Sequence, residues 1–262
     1  MHALEKLIVY YNQCKDNDIY KSVIENILKN LDKVKSANIY ELAELCYASP
    51  TTISRLSRKM GYEGFSAFRM SIVNCLRNYY SYNHFIPLSM RGSKEESSSE
   101  YLNLMRKLID QLEQTLDTGQ IRRINDWLHD SRKVCFYTCG INFVERHFQE
   151  LLIVSGKSCV VKTLPQNQLA DVKTLNPECT VIYITPETLE SGDVGEVLEK
   201  VKMIGARLVI ITDTKNYVYS RLADELICFD GVMSILDDQY FAMLLTIMAM
   251  DYRERYVDTA PV

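Results

Sequence analysis

A serine and a proline stand together at Ser49-Pro50, followed by Thr51, Thr52, Ser54, Arg55, Arg58 and Lys59. This is the pattern of a capped helix start. A serine oxygen can accept from a first-turn N–H, and proline at the first helical position gives up a donor that has no helical partner anyway. At roughly 100° per residue, Ile53, Leu56 and Met60 share the inward face, and Gly61 suits a left-handed cap. Thr51, Arg55 and Arg58 then point outward, flanked by Thr52, Ser54 and Lys59. Short side chains near the helix start let the backbone approach bases and phosphates, and one turn later Arg55 can reach a guanine edge or a phosphate. Arg58, Lys59 and, further on, Arg69 are expected to neutralise phosphates, each adding to the salt dependence of binding. An ordinary helical hairpin can also carry a solvated basic face. Here a capped start, a short turn (Tyr47, Ala48, Ser49), an inward triad and an outer face without acids coincide, which favours a helix that enters a DNA groove.

The elements that must position this helix are also helical. Val23, Ile24, Ile27, Leu28 and Leu31 repeat at one-face spacing over 20–31, and Asn38 with Glu41 forms a capping-box start for a helix with Ile39, Leu42, Ala43, Leu45 and Cys46 inward. A further helix is expected over 69–80. Residues 81–100, with a Pro, a Gly and a Ser triplet, read as a linker, so the expected domains are 1–80, then the linker, then 101–262. After an amphipathic helix (Leu102, Met105, Leu108, Ile109, Leu112, Leu116), short apolar runs alternate with helical stretches. Strands are expected at 133–138, 159–163, 180–185, 207–212 and 225–229, and helices at 142–155, 166–175, 193–204, 216–223 and 237–256. That alternation implies a parallel sheet covered on both faces.

Composition narrows the classes. The 262 residues are 47% hydrophobic and 24% charged, with a net charge of −4, an ordinary globular balance. Residues 1–80 carry 11 Lys/Arg against 8 Asp/Glu, and residues 101–262 carry 17 against 23, so the basic character is local. No apolar run reaches the ~18 residues of a membrane span, and the first residues lack a signal-peptide pattern, so a cytoplasmic location is expected. The eight cysteines (Cys14, Cys46, Cys75, Cys135, Cys139, Cys159, Cys179, Cys228) form no CxxC pair, and the four histidines are not spaced as metal ligands. No metal and no cofactor are expected.

The stretches 38–44 and 49–68 resemble the DNA-binding domain of the RpiR/MurR family. Ser49, Pro50, Thr52, Ile53 and Arg55 match its S-P-x-T-I-x-R core, and Gly61, Tyr62, Gly64, Phe65 and Phe68 match its G-[FY]-x-G-F-x-x-F tail. The resemblance implies an all-α helix-turn-helix domain followed by a SIS (sugar isomerase) domain, a flavodoxin-like parallel-sheet fold that senses phosphosugars. It implies the loops after the first and third strands as the ligand site, here Thr138, Gly140 and Asn142 with Thr185, Glu187 and Thr188. Against the family's Gly-x-Gly-x-Ser loop, Thr138 replaces the first glycine and Asn142 the serine. Against Ser-x-Ser-Gly-x-Thr, Thr188 replaces the glycine, while Glu187 and Glu190 replace hydroxyls. A carboxylate repels phosphate by of order 1 kcal/mol or more at ~4 Å. Three readings stay open: an amine or uncharged sugar as ligand, a domain kept only for dimerisation, or a shifted anion loop at Ser191-Gly192. His147 either faces this pocket or is an ordinary helical histidine.

The expectation is therefore a non-enzymatic, sequence-specific regulator of carbohydrate-metabolism genes, bound to a palindromic operator in double-stranded DNA as a homodimer or homotetramer. One helix-turn-helix reads only a few base pairs, and Met243, Leu244, Ile247, Met248 and Tyr252, with the helix at 102–116, are apolar enough to form a seam. A sugar or sugar phosphate is the expected effector. The alternatives are a SIS-type isomerase or lyase, a regulator without a ligand, and a protein-interaction module. Isomerase chemistry needs an acid/base beside a held phosphate, and no Glu/His pair of obvious spacing supplies it.

Overall fold

The computed structural model describes residues 3–81, 84, 86, 87, 97–138, 143–186, 194–232 and 235–258. The chain divides into two units, Met1–Asn83 and His84–Val262.

The first unit is helical: α1 (Ala3–Gln13), α2 (Ile19–Lys29), α3 (Leu31–Val34), α4 (Ile39–Leu45), α5 (Pro50–Lys59) and α6 (Phe65–Ser81). Its helix starts follow from side-chain caps. Asp18 accepts from Tyr20 N (2.8 Å). Asn38 Oδ1 accepts from Tyr40 N (2.9 Å) and Glu41 N (3.0 Å), while Glu41 Oε2 accepts from Asn38 N (2.8 Å), closing the capping box. Leu7, Ile24, Ile27, Leu42, Ile53, Leu56, Phe68 and Ile72 fill a single core. Two features differ from the sequence reading. The stretch 20–31 breaks at Asn30 into α2 and α3, and α6 starts four residues before Arg69 because Phe65 and Phe68 also pack inward. Helix α1, whose Leu7 is buried, had no counterpart in the sequence reading.

The second unit is a doubly wound α/β domain. The parallel sheet consists of β1 (Lys133–Thr138), β2 (Ser158–Lys162), β3 (Cys179–Thr185), β4 (Arg207–Thr212) and β5 (Glu225–Cys228), in the order β2-β1-β3-β4-β5. Period-2 alternation divides each strand between two apolar layers. Val134, Phe136, Ile182, Ile184, Val209 and Ile211 pack with α7 (Ser97–Thr115), α8 (Thr118–Asp130), α9 (Phe143–Val154) and α12 (Asp237–Tyr256). Cys135, Tyr137, Val181, Tyr183, Leu208 and Ile210 face α10 (Pro165–Val172) and α11 (Val194–Ile204). Helix α8 was missed, although Asp117 caps it and Ile121, Ile124 and Leu128 give it a buried face. The helix expected at 216–223 is only the 3-10 turn Ser220–Leu222. Tyr217 is drawn into the core edge-on to Tyr219 (centroids 5.6 Å), which leaves the segment too short for a helix. No helix among the described residues is long and apolar enough to cross a membrane.

Candidate nucleic-acid interface and effector edge

The end of α4 and the start of α5 form a helix-turn-helix whose geometry comes from two Schellman caps. Tyr47 N donates to Glu44 O (3.1 Å) and Ala48 N to Ala43 O (2.8 Å), which puts Tyr47 at the left-handed position with φ 51°. At the far end of α5, Gly61 N donates to Arg58 O (2.8 Å) and Tyr62 N to Ser57 O (3.1 Å), and here the left-handed residue is Gly61, φ 81°. Glycine suits this position because any Cβ is strained there. Tyr47 takes it without that relief, and its side chain is 93% exposed.

Ser49 Oγ accepts from Thr52 N (3.1 Å) and lies 2.9 Å from Thr52 Oγ1. Ile53 and Leu56 are fully buried, whereas Thr51, Arg55 and Arg58 are exposed along one face. Among the described residues, the side chains of Arg55 and Arg58 have no hydrogen-bond or ion-pair partner. Ser54 and Thr52 flank them, half-buried. Two of the expected phosphate contacts prove to have work inside the unit. Arg69 Nη1 donates to Lys35 O (2.7 Å), tying α6 to the residue after α3. Lys59 Nζ lies 5.3 and 5.5 Å from the ring centroids of Tyr10 and Tyr20. Periodicity placed Lys59 on the flank of α5, where it is exposed, but it carries no information about partners from α1, α2 and α3.

In the second unit the strand order switches direction between β1 and β3, where open α/β sheets bind ligands beyond the strands' carboxyl ends. Thr138 and Thr185 close these strands and are 2% and 0% exposed, so their side chains belong to the sheet's interior. Gly140, Asn142, Glu187 and Thr188 lie outside the described residues, as do Glu190, Ser191 and Gly192. His147 is exposed on α9.

The same edge holds groups that the sequence reading missed. Gln168, buried on α10, donates Nε2 to Lys162 O (3.0 Å) and Thr138 O (3.3 Å), while its Oε1 has no partner among the described residues. Thr212 Oγ1, at the end of β4, is likewise buried without a described partner. Glu145 is buried in the first turn of α9, where the helix dipole favours a carboxylate. Asp213, Asp237 and Asp238 gather between β4 and the start of α12. Gly231 N donates to Asp213 O (3.0 Å) and Val232 N to Asp237 Oδ1 (2.9 Å). A Cβ on Gly231 would meet Asp213 Cβ at 2.7 Å, so only glycine allows this approach. Burial, reinforced by Asp237 and Asp213, pushes the Asp238 carboxyl up to about 6.

Among the described residues, no three His, Cys, Asp or Glu side chains are grouped as a metal site requires. The cysteines there form no disulfide, and burial lifts Cys46 and Cys75 to about 11.

A capped second helix with an exposed cationic face, followed by a five-stranded parallel sheet in the order β2-β1-β3-β4-β5, defines a helix-turn-helix protein with a flavodoxin-like second domain. Residues 1–78 match the family model "Helix-turn-helix domain, rpiR family". The chain is 24% identical over 237 residues to the HTH-type transcriptional regulator GlvR of Bacillus subtilis (strain 168), spanning 84% of this chain and 80% of that protein. It is 21% identical over 211 residues to the HTH-type transcriptional regulator RpiR of Escherichia coli (strain K12), spanning 79% and 69%. The fold is similar to that of the Vibrio vulnificus NanR protein complexed with ManNAc-6P, with a TM-score of 0.50 at 19% identity over 97% of this chain and 92% of that one. The sugar isomerase domain of an RpiR transcription factor from Sphaerobacter thermophilus gives 0.50 at 16% identity over 59% and 90%. Residues 1–78 thus form a helix-turn-helix domain of the rpiR family.

Proposed function

We propose that this regulator reads a palindromic operator near carbohydrate-metabolism genes as a homodimer in the cytoplasm, without catalysing a reaction. The observation that carries the reading is the Thr51, Arg55 and Arg58 face of α5, exposed and with side chains that have no partner among the described residues. Thr51 and Arg55 are the base-reading pair, supported by Thr52 and Ser54; Arg58 contacts phosphate; Ser49 caps the helix. Lys59 and Arg69, already engaged inside the unit, contribute less than sequence reading assigns them.

The effector site is the carboxyl edge of the sheet at the strand ends Thr138 and Thr185, which Gly140, Asn142, Glu187 and Thr188 follow in sequence. Gln168 Oε1 and Thr212 Oγ1 support a hydroxyl-bearing ligand of sugar type, as each offers a buried acceptor lacking a described partner. The carboxylates there favour an uncharged or amino sugar over a sugar phosphate. Of the seam residues expected from sequence, Leu244, Met248 and Tyr252 are spent in the domain's own core. Met243 and Ile247 are partly buried, and with exposed Met250, Leu102 and Ile109 they form the proposed dimer face.

The test is a gel shift with the duplex that the full-length protein selects from a random library, over several salt concentrations. Arg55→Ala should cost about 1–3 kcal/mol and relax specificity at one position per half-site. Selection of no preferred duplex would remove the reading.

A further inference from the structure

We infer that α1 is a positioning element of the DNA-reading machinery, and that Lys6 sets the angle at which α5 meets the groove; the inference rests on the DNA-binding reading above. Lys6 is only 8% exposed, and its Nζ donates to Met60 O at 2.6 Å. Met60 is the C-cap of α5, so the ammonium meets the negative end of the recognition helix. The same Nζ stands 4.3 Å from the Tyr62 ring centroid. Tyr62 OH lies 2.9 Å from Ser71 Oγ on α6, and Ser71 Oγ in turn accepts from Ala3 N (3.0 Å) at the start of α1. One chain of contacts thus joins α1, the end of α5 and α6. A second latch runs the opposite way, from Lys59 of α5 to the ring faces of Tyr10 on α1 and Tyr20 on α2.

A methionine at position 6 would fill the same stem volume without desolvating a charge, and burial already holds the Lys6 ammonium below its usual range. What the charge adds is direction. A hydrogen bond to one carbonyl fixes the helix end, whereas apolar packing tolerates sliding. The ten residues of α5 span roughly 15 Å, so a tilt of about 10° about the Met60 end moves the Thr51 end by roughly 2.6 Å. That exceeds the tolerance of a bidentate base contact. Buried as it is, Lys6 reaches no phosphate.

The experiment compares full-length wild type with Lys6→Met on two probes, the duplex that wild type selects from a random library and a scrambled duplex of equal length. Circular dichroism at the assay temperature confirms that the variant is folded. The expected result is a loss of about tenfold or more in the ratio of selected to scrambled affinity. Affinity for the scrambled duplex and the slope of log K against log salt should stay as in wild type, since no phosphate contact is removed. An unchanged ratio in a folded variant of lower Tm would overturn the inference and leave Lys6 a stabilising residue only. If Lys6→Met does not fold, Lys6→Gln, uncharged and one bond shorter, is measured instead; a reduced ratio supports the inference and a wild-type ratio overturns it. Wild type that fails to discriminate the two probes removes the DNA reading itself, and the inference with it.

Discussion

Asp238 gives the most quantitative prediction. Its carboxyl titrates at about 6 in the folded chain against 3.8 in the open, because burial and then Asp237 and Asp213 oppose its charge. Folded Asp238 holds its proton more tightly than unfolded Asp238. The penalty on folding is therefore absent below about pH 3.8, grows between about 3.8 and 6, and is complete above 6. At 1.36 kcal/mol per pH unit the full penalty is about 3 kcal/mol. Asp238→Asn removes it. The variant should match wild type near pH 4 and exceed it at pH 7.5, by up to about 3 kcal/mol in urea unfolding, or roughly 6–12 °C in Tm for a domain of this size. Thermal and urea melts at the two pH values suffice. A gain of equal size at both would refute the electrostatic account and point to packing; no gain at pH 7.5 would show that Asp238 is solvated in the folded state.

Other perturbations read other parts of the molecule. Arg58→Ala should lower the salt slope of operator binding by about 1 per protomer, measured by titration between 50 and 200 mM salt. Tyr47→Gly relieves a left-handed backbone (φ 51°) and should stabilise the helical unit by up to about 1 kcal/mol in chemical denaturation. Met250→Glu combined with Ile109→Glu changes only exposed positions, and should shift the molar mass from dimer to monomer in light scattering without altering the circular dichroism spectrum. Asn125→Ala removes the buried donor to Met248 O (2.8 Å) and Asp251 Oδ2 (2.9 Å) that joins α8 to α12, and should cost about 1–3 kcal/mol.

The sequence alone was sufficient wherever the signal is local. The caps at Asn38 and Ser49, the left-handed Gly61 and the boundaries of β1 and β4 depend on residues a few positions apart, and all five stand in the structure. Strand order is also nearly implied, since apolar parallel strands joined by helices wind in few ways. The outward set on α5 was legible for the same reason, because helical period alone separates Thr51, Arg55 and Arg58 from Ile53 and Leu56.

What the tertiary structure decided is which of these groups are free to act. Lys59 and Arg69 look equivalent to Arg58 in sequence, but Tyr10, Tyr20 and the Lys35 carbonyl, 34 to 49 positions away in the chain, take up their charges. Lys6 carries no motif, and its role emerges only when α1 folds against the end of α5. The acidic cluster and the Gln168 and Thr212 atoms that lack a partner among the described residues arise in the same way, from strand ends and helix starts distant in the chain. Cap and period are properties of a few consecutive residues; partnership between charges belongs to the packed core, where burial fixes the electrostatic environment of each group.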